Sequence, residues 1–138
     1  MFAAVLVLLA CIGDARAEDG HALWMRYVPL EPALAADYRT RLGQVVAPDH
    51  TATQRAARDE LQRGLAGLLG SAPQSAGTAA TGPMLVLGTP QSSALIAPLR
   101  AQMQPLGEEG YLLKRTRVGG RDALLVAAPR DIGVLYGV

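Results

Sequence analysis

Cysteine is almost absent. Cys11 is the single cysteine among 138 residues, so no disulfide framework forms within the chain and no thiolate-rich metal site can be assembled. Histidine is nearly as scarce, and His21 and His50 are too few to anchor a metal centre on their own. An excess of one charge is missing as well. Lys and Arg number 13 against 12 Asp and Glu, a net charge of +1. No Lys/Arg cluster supplies a local excess, which removes the electrostatic case for a nucleic-acid partner. Nucleotide-cradling patterns are lacking too: Gly88-Thr89-Pro90 is not part of a phosphate-binding loop, and Gly119-Gly120 is not a dinucleotide fingerprint. The chain is therefore expected to use neither a metal nor a cofactor. What it does have is apolar residues, 50% of the total against 18% charged, a balance that argues against disorder. Its length suits one domain with a real core and is too short for two ordinary ones.

The longest apolar run comes first, from Phe2 to Ala10, followed by Cys11 and Ile12. A bilayer-spanning helix needs about 20 residues, so this run fits the h-region of a secretory signal instead. Asp14-Ala15-Arg16-Ala17 ends in an Ala-x-Ala pattern that places a cut before Glu18. Residues 1–17 are thus expected to be a signal peptide, and the protein to be exported, periplasmic or extracellular. Leu8-Leu9-Ala10-Cys11 also resembles a bacterial lipoprotein box, which keeps lipidation at Cys11 open as a second route.

From Glu18 onward, strand and helix signals alternate. Ala22 to Val28, rich in aromatic and branched residues and bounded by Gly20 and Pro29, reads as a strand. Pro32 after Glu31 suits a first helical position, and the row Leu34, Tyr38, Leu42, with Ala35 beside it, predicts a short helix that packs one face. Gln44 to Ala47 reads as a brief strand. Thr51 and Gln54 form a capping-box pair ahead of an apolar stripe at Ala57, Leu61, Leu65, Leu68 and Leu69, which predicts the longest helix, closed by Gly70. Gly64 and Gly67 sit inside it at about 1 kcal/mol each against alanine, so its stability must come from packing.

Residues 71–82 are mostly small and read as a loop. Met84 to Leu87 is apolar without alternation, the pattern of an interior strand. Thr89-Pro90 signals a helix start, with a short helix expected over 91–96 and a separate helical turn near 99–104, because Pro98 interrupts. Tyr111 to Val118 and Arg121 to Ala128 read as a hairpin closed by Gly119-Gly120, the second strand central in its sheet. Asp131 is a candidate cap for a last helix presenting Ile132, Leu135 and Tyr136. Together these predict an α/β (α+β) domain, a two-layer sandwich of a mixed β-sheet with helices on one side.

Few side chains stand out as functional. Trp24 and Tyr27 are candidates to stack on a sugar, although a regular strand would point them to opposite faces and leave at least one in the core. Arg26 between them is a candidate to pair with a buried or interface carboxylate, with a surface position as the simpler account. Lys114, Arg115 and Arg117 form a basic strand segment suited to a uronate carboxylate, with solvent-facing alternation as the simpler account. His21 reads as a strand-start residue and His50 as lying near a helix start. Glu108-Glu109 reads as an acidic turn rather than a catalytic pair. The apolar pattern of 132–138 stops within two helical turns and is expected to be a severed connection whose apolar side meets another layer of protein.

Four phrases carry a family resemblance. Glu18-Asp19-Gly20-His21-Ala22-Leu23-Trp24-Met25-Arg26-Tyr27, Leu87-Gly88-Thr89-Pro90, Leu106-Gly107-Glu108-Glu109-Gly110-Tyr111 and Gly133-Val134-Leu135-Tyr136-Gly137 resemble, in order, signatures of the N-terminal domain of bacterial alpha-glucuronidases of glycoside hydrolase family 67. The resemblance covers residues 18–138. It implies a non-catalytic accessory domain over 18–131, similar to those preceding hexosaminidase-type barrels, with 132–138 starting the connection to a (β/α)8 catalytic barrel. The implied parent removes alpha-1,2-linked glucuronic acid, or its 4-O-methyl form, from xylo-oligosaccharides with inversion. Its catalytic carboxylates would belong to the barrel, so this chain alone is expected to be inactive. The implied partners are that barrel and the xylo-oligosaccharide, with a homodimer only through regions outside these residues. Two other readings stay open: an accessory domain of a hexosaminidase-like glycosidase, and an independent envelope carbohydrate-binding protein with an exposed aromatic platform.

Overall fold

The computed structural model describes residues 26–77 and 80–138. The expected signal peptide, Cys11, His21 and Trp24 therefore lie outside the described residues. Helix α1 (Pro32–Arg41) leads to strand β1 (Gln44–Val46), helix α2 (Ala52–Leu69), strand β2 (Gln74–Ser75) and strand β3 (Met84–Gly88). A four-residue helix α3 (Arg100–Met103) follows, flanked by 3-10 turns at Ala97–Leu99 and Gln104–Leu106. Strands β4 (Leu112–Val118) and β5 (Arg121–Ala127) and helix α4 (Asp131–Gly137) complete the chain. The five strands form one sheet in the order β2-β1-β3-β5-β4. All neighbours are parallel except β4 and β5, which are antiparallel. The mixed sheet and the α/β class agree with expectation.

Register and residue type explain the middle of the sheet. All five residues of β3 are buried, flanked by β1 through Val45↔Leu85 and by β5 through Leu85↔Leu124. Parallel strands covered on both faces read as continuous apolar runs, as Met84-Leu85-Val86-Leu87 does. Each such side chain contributes about 1.5–3 kcal/mol on burial. β5 is interior, as expected, and its hairpin with β4 turns at Gly119 and Gly120, whose φ values of 56° and 80° suit a tight turn that side chains with a Cβ resist.

The regular helices α2 and α4 share one face, where Ala57, Leu61, Leu65 and Val134 pack on Leu85, Leu87 and Val126. The opposite face also carries a cover, thinner and mostly non-helical: Ile96, Leu99 and Met103 pack on Met84, Val86 and Leu125. That cover adds a layer to the two expected. Residues 91–96 form turns in place of the expected helix. Thr89 Oγ1 accepts from the amides of Gln91 and Ser92 at 3.3 and 3.1 Å, while Ser92 Oγ accepts from the Thr89 amide at 2.9 Å. Short hydroxyl side chains thus satisfy the backbone locally and compete with a helix.

Helix α2 begins with the expected capping box: Thr51 Oγ1 accepts from the Gln54 amide at 3.1 Å, and Gln54 Oε1 accepts from the Thr51 amide at 3.3 Å. α1 starts at Pro32, with Glu31 accepting from the Leu34 amide at 3.3 Å. Its expected packing row holds only in part: Ala35 is buried and Leu42 packs on the core beneath α2, whereas Leu34 and Tyr38 remain 45% and 42% exposed. The expected strand through Val28 is corrected, since its described part, residues 26–28, is not strand. Its neighbour there is α2 rather than a sheet edge: the Leu30 amide donates to the Leu68 carbonyl at 2.9 Å.

Candidate functional site

The residues that sequence reasoning singled out do not converge. Trp24 lies outside the described residues, and Arg26 is exposed. Tyr27 is half-buried against α2, its ring lying over Gly64 and Gly67. A Cβ at Gly67 would stand 2.5 Å from the Tyr27 Cβ, and one at Gly64 would stand 3.0 Å from its ring. The two glycines, three residues apart on one helix face, form the slot that admits the aromatic ring. The Tyr27 hydroxyl donates to Glu60, whose carboxylate also meets Arg63. That hydrogen bond, together with burial and the nearby negative charge, raises the phenol above its ordinary acidity range. The Gly64-x-x-Gly67 spacing is the sequence signal that would have pointed to this contact.

The basic segment of β4 is divided by strand alternation. Lys114 donates to Gln102 Oε1 at 2.8 Å, over the face that α3 covers. Arg115 and Arg117 project to the other face, where Arg117 pairs with Asp122 at 3.2 Å. His50 is exposed and contributes its backbone amide to Gln54 Oε1 at 3.0 Å. Among the described residues, no three His, Cys, Asp or Glu side chains gather as metal ligands would. No helix among them is long and apolar enough to cross a membrane.

The acidic side chains mostly hold the fold's own elements. Glu31 caps α1, Asp37 pairs with Arg41 at 2.9 Å, and Asp49 and Asp59 share Arg58 at 3.3 and 3.0 Å. Glu108 pairs with Arg130 at 2.7 Å, joining the turn before β4 to the start of α4. Asp131, expected as a cap for α4, lies inside that helix, and Arg130 holds the cap position without a side-chain bond. The Asp131 carboxylate instead accepts from Thr51 Oγ1 at 2.9 Å and from Gln54 Nε2 at 3.0 and 3.1 Å. It thereby ties the start of α4 to the start of α2, near the positive ends of both helices.

Two depressions border the sheet's ends and edges. A shallow crevice of about 330 Å³ lies beyond the carboxyl ends of β3 and β5, between Pro90, Arg100, Gln104 and Arg130. An open groove of about 900 Å³ separates α1 from the β4–β5 hairpin, with Leu34, Tyr38 and Leu42 on one side and Arg115, Leu124 and Arg117 on the other. The groove takes the exposed members of the α1 row, Leu34 and Tyr38, while Leu42 also packs on the core.

A mostly parallel sheet with a helical face, a thin second cover and acids spent largely on internal ties defines a small layered α/β domain. Residues 23–138 match the family described as Glycosyl hydrolase family 67 N-terminus, and the chain belongs to that family. A search of the curated proteins finds no match.

Proposed function

We propose that this chain is the non-catalytic N-terminal domain of an exported xylan alpha-1,2-glucuronosidase. In this reading the parent hydrolyses alpha-1,2-linked glucuronic acid, or its 4-O-methyl form, from xylo-oligosaccharides with inversion. The carrying observation is the family match over 23–138, a family defined as the N-terminal part of a hydrolase.

The chemistry of inversion supports the division of labour. An inverting glycosidase needs one carboxylic acid to protonate the leaving oxygen and a carboxylate to activate water, about 6.5–9.5 Å apart across the sugar. Here Glu108 leaves its sequence neighbour Glu109 for Arg130, and Asp131 is taken up by Thr51 and Gln54. These are ties between structural elements, and in this reading the catalytic carboxylates reside in the parent's barrel. The domain's contribution is mechanical: it supports the barrel from the N-terminal side.

The test measures glucuronate released from aldouronic acids by the 138-residue chain and by the longer polypeptide that includes the barrel. The expected result is release by the longer polypeptide alone. Release by the 138-residue chain at an enzyme-like rate would overturn the assignment.

A further inference from the structure

Strand β4 is covered on one face and bare on the other. Leu112, Lys114, Thr116 and Val118 are half-buried, whereas Leu113, Arg115 and Arg117 are exposed. The register shows which face is bare: Leu113 stands opposite Val126 and Arg115 opposite Leu124. Directly opposed residues of an antiparallel pair project to the same side. Val126 is buried beneath α4 with Val134, so the bare side of β4 is the helical face. Neither α2 nor α4 reaches far enough to cover it.

An ordinary solvent-facing edge would be polar at these positions. This one carries Leu113 at 55% exposure, with Tyr111 at 45% just before it in the chain and Tyr136 at 54% on α4. The Tyr111 ring lies against Gly137, where a Cβ would be 3.2 Å from it. The aromatic rim of the bare face is thus continuous with the end of α4. Beyond Leu113, the same face runs past Arg115 and Leu124 into the open groove beside α1.

We propose that this face, from Tyr136 and Tyr111 across Leu113 to Leu124, is the seat of the catalytic domain of the same polypeptide. The proposal rests on the function proposed above. Two observations favour this occupant. The family is described as a hydrolase N-terminus, so in the reading proposed above the catalytic domain is C-terminal to the matched residues 23–138. Val138, the last matched residue, is 36% exposed and next to the residue that touches Tyr111. A catalytic domain tethered there meets the bare face at high effective concentration, so a modest interdomain contact suffices. Arg117 is matched by Asp122 on this face, and Arg115 beside that pair calls for an acidic side chain on the facing surface.

The test is thiol labelling at Leu113→Cys and, as a control on the opposite face, Lys114→Cys. Both are placed in a Cys11→Ser background and read by peptide mass in the 138-residue chain and in the longer polypeptide. The expected result is at least tenfold slower labelling at position 113 in the longer polypeptide, with position 114 unchanged. Equal labelling at 113 in a longer polypeptide that releases glucuronate overturns the seat and leaves the proposed function intact. Slow labelling in one that releases none upholds the seat and removes the glucuronidase reading. Slowing in the 138-residue chain that grows with protein concentration gives the face to a second copy and overturns the proposal. So does slowing that vanishes when residues 1–25 are deleted.

Discussion

The two faces of the sheet are buried by different means. On one, α2 extends for 18 residues behind a capping box, with α4 beside it. On the other, a segment containing Pro98 and Pro105 supplies a four-residue helix and two 3-10 turns. Yet Leu87 and Val86, pointing to opposite faces of β3, are 1% and 0% exposed. A parallel strand therefore requires apolar cover, and regular helix is one way among others to provide it. Where a helix supplies many weak contacts, the irregular segment relies on a few fully buried side chains, chiefly Ile96 and Met103.

That contrast can be broken most directly at Met103. Met103→Ala is expected to cost about 2–5 kcal/mol in urea unfolding, and to raise amide exchange across 90–106 while leaving α2 protected. Leu61→Ala, half-buried on α2, should cost less, and an equal loss would erase the difference between the faces. Next in size is Gly67→Ala. Helix propensity alone favours alanine there by about 1 kcal/mol, but the new methyl collides with Tyr27, and a net loss of about 1–2 kcal/mol is expected. A gain in stability would show that Tyr27 is not held on α2.

Smaller still is Gln54→Ala, which removes half of the capping box and the amide that reaches Asp131. A loss of about 1 kcal/mol is expected. A double-mutant cycle with Asp131→Ala should show coupling of at least about 0.5 kcal/mol if the two helix starts are joined as described. The smallest effect is set by pH. Tyr27 has its phenol raised in the folded state, chiefly by the hydrogen bond to Glu60. Its contribution is therefore complete below the ordinary value of about 10 and lost as pH rises through the folded value. Melting temperatures from pH 9 to 11.5 should fall more steeply for the natural chain than for Tyr27→Phe.

The helical face was the more legible one. Thr51, Gln54 and the stripe from Ala57 to Leu69 state a helix start and a buried side in local terms, and the structure follows them. The β4–β5 hairpin was legible for the same reason, since Gly119-Gly120 permits the turn and the strands adjoin in sequence. Residues 91–106 were legible in part: the break at Pro98 and the helical turn expected near 99–104 are there as Arg100–Met103, whereas 91–96 is not the expected helix. Hydroxyl-to-backbone bonds at Thr89 and Ser92 and two prolines leave no periodicity, although Ile96 and Met103 are buried completely. β2 was hidden inside a run of small residues, because Gln74-Ser75 becomes a strand only through its position beside β1. For the candidate contacts, local reading set Tyr27 in a strand beside Trp24. Its actual neighbours, Gly64 and Gly67, lie some forty residues onward, and the pair was visible only as a helical cost. The spacing of the α1 row marks a stripe but not which members are covered: Leu42 packs on the core, and Leu34 and Tyr38 stay exposed.

The strand order has one more consequence, for the sequence of events as the polypeptide is made. β4 is synthesised before β5 yet lies outside it, so when the outer strand emerges its place beside β3 is reserved for a segment still to come. The two-glycine turn keeps that pairing local, between strands adjacent in the chain. β4 has no partner in the sheet but β5, so the outer strand is held only as firmly as the hairpin that carries it.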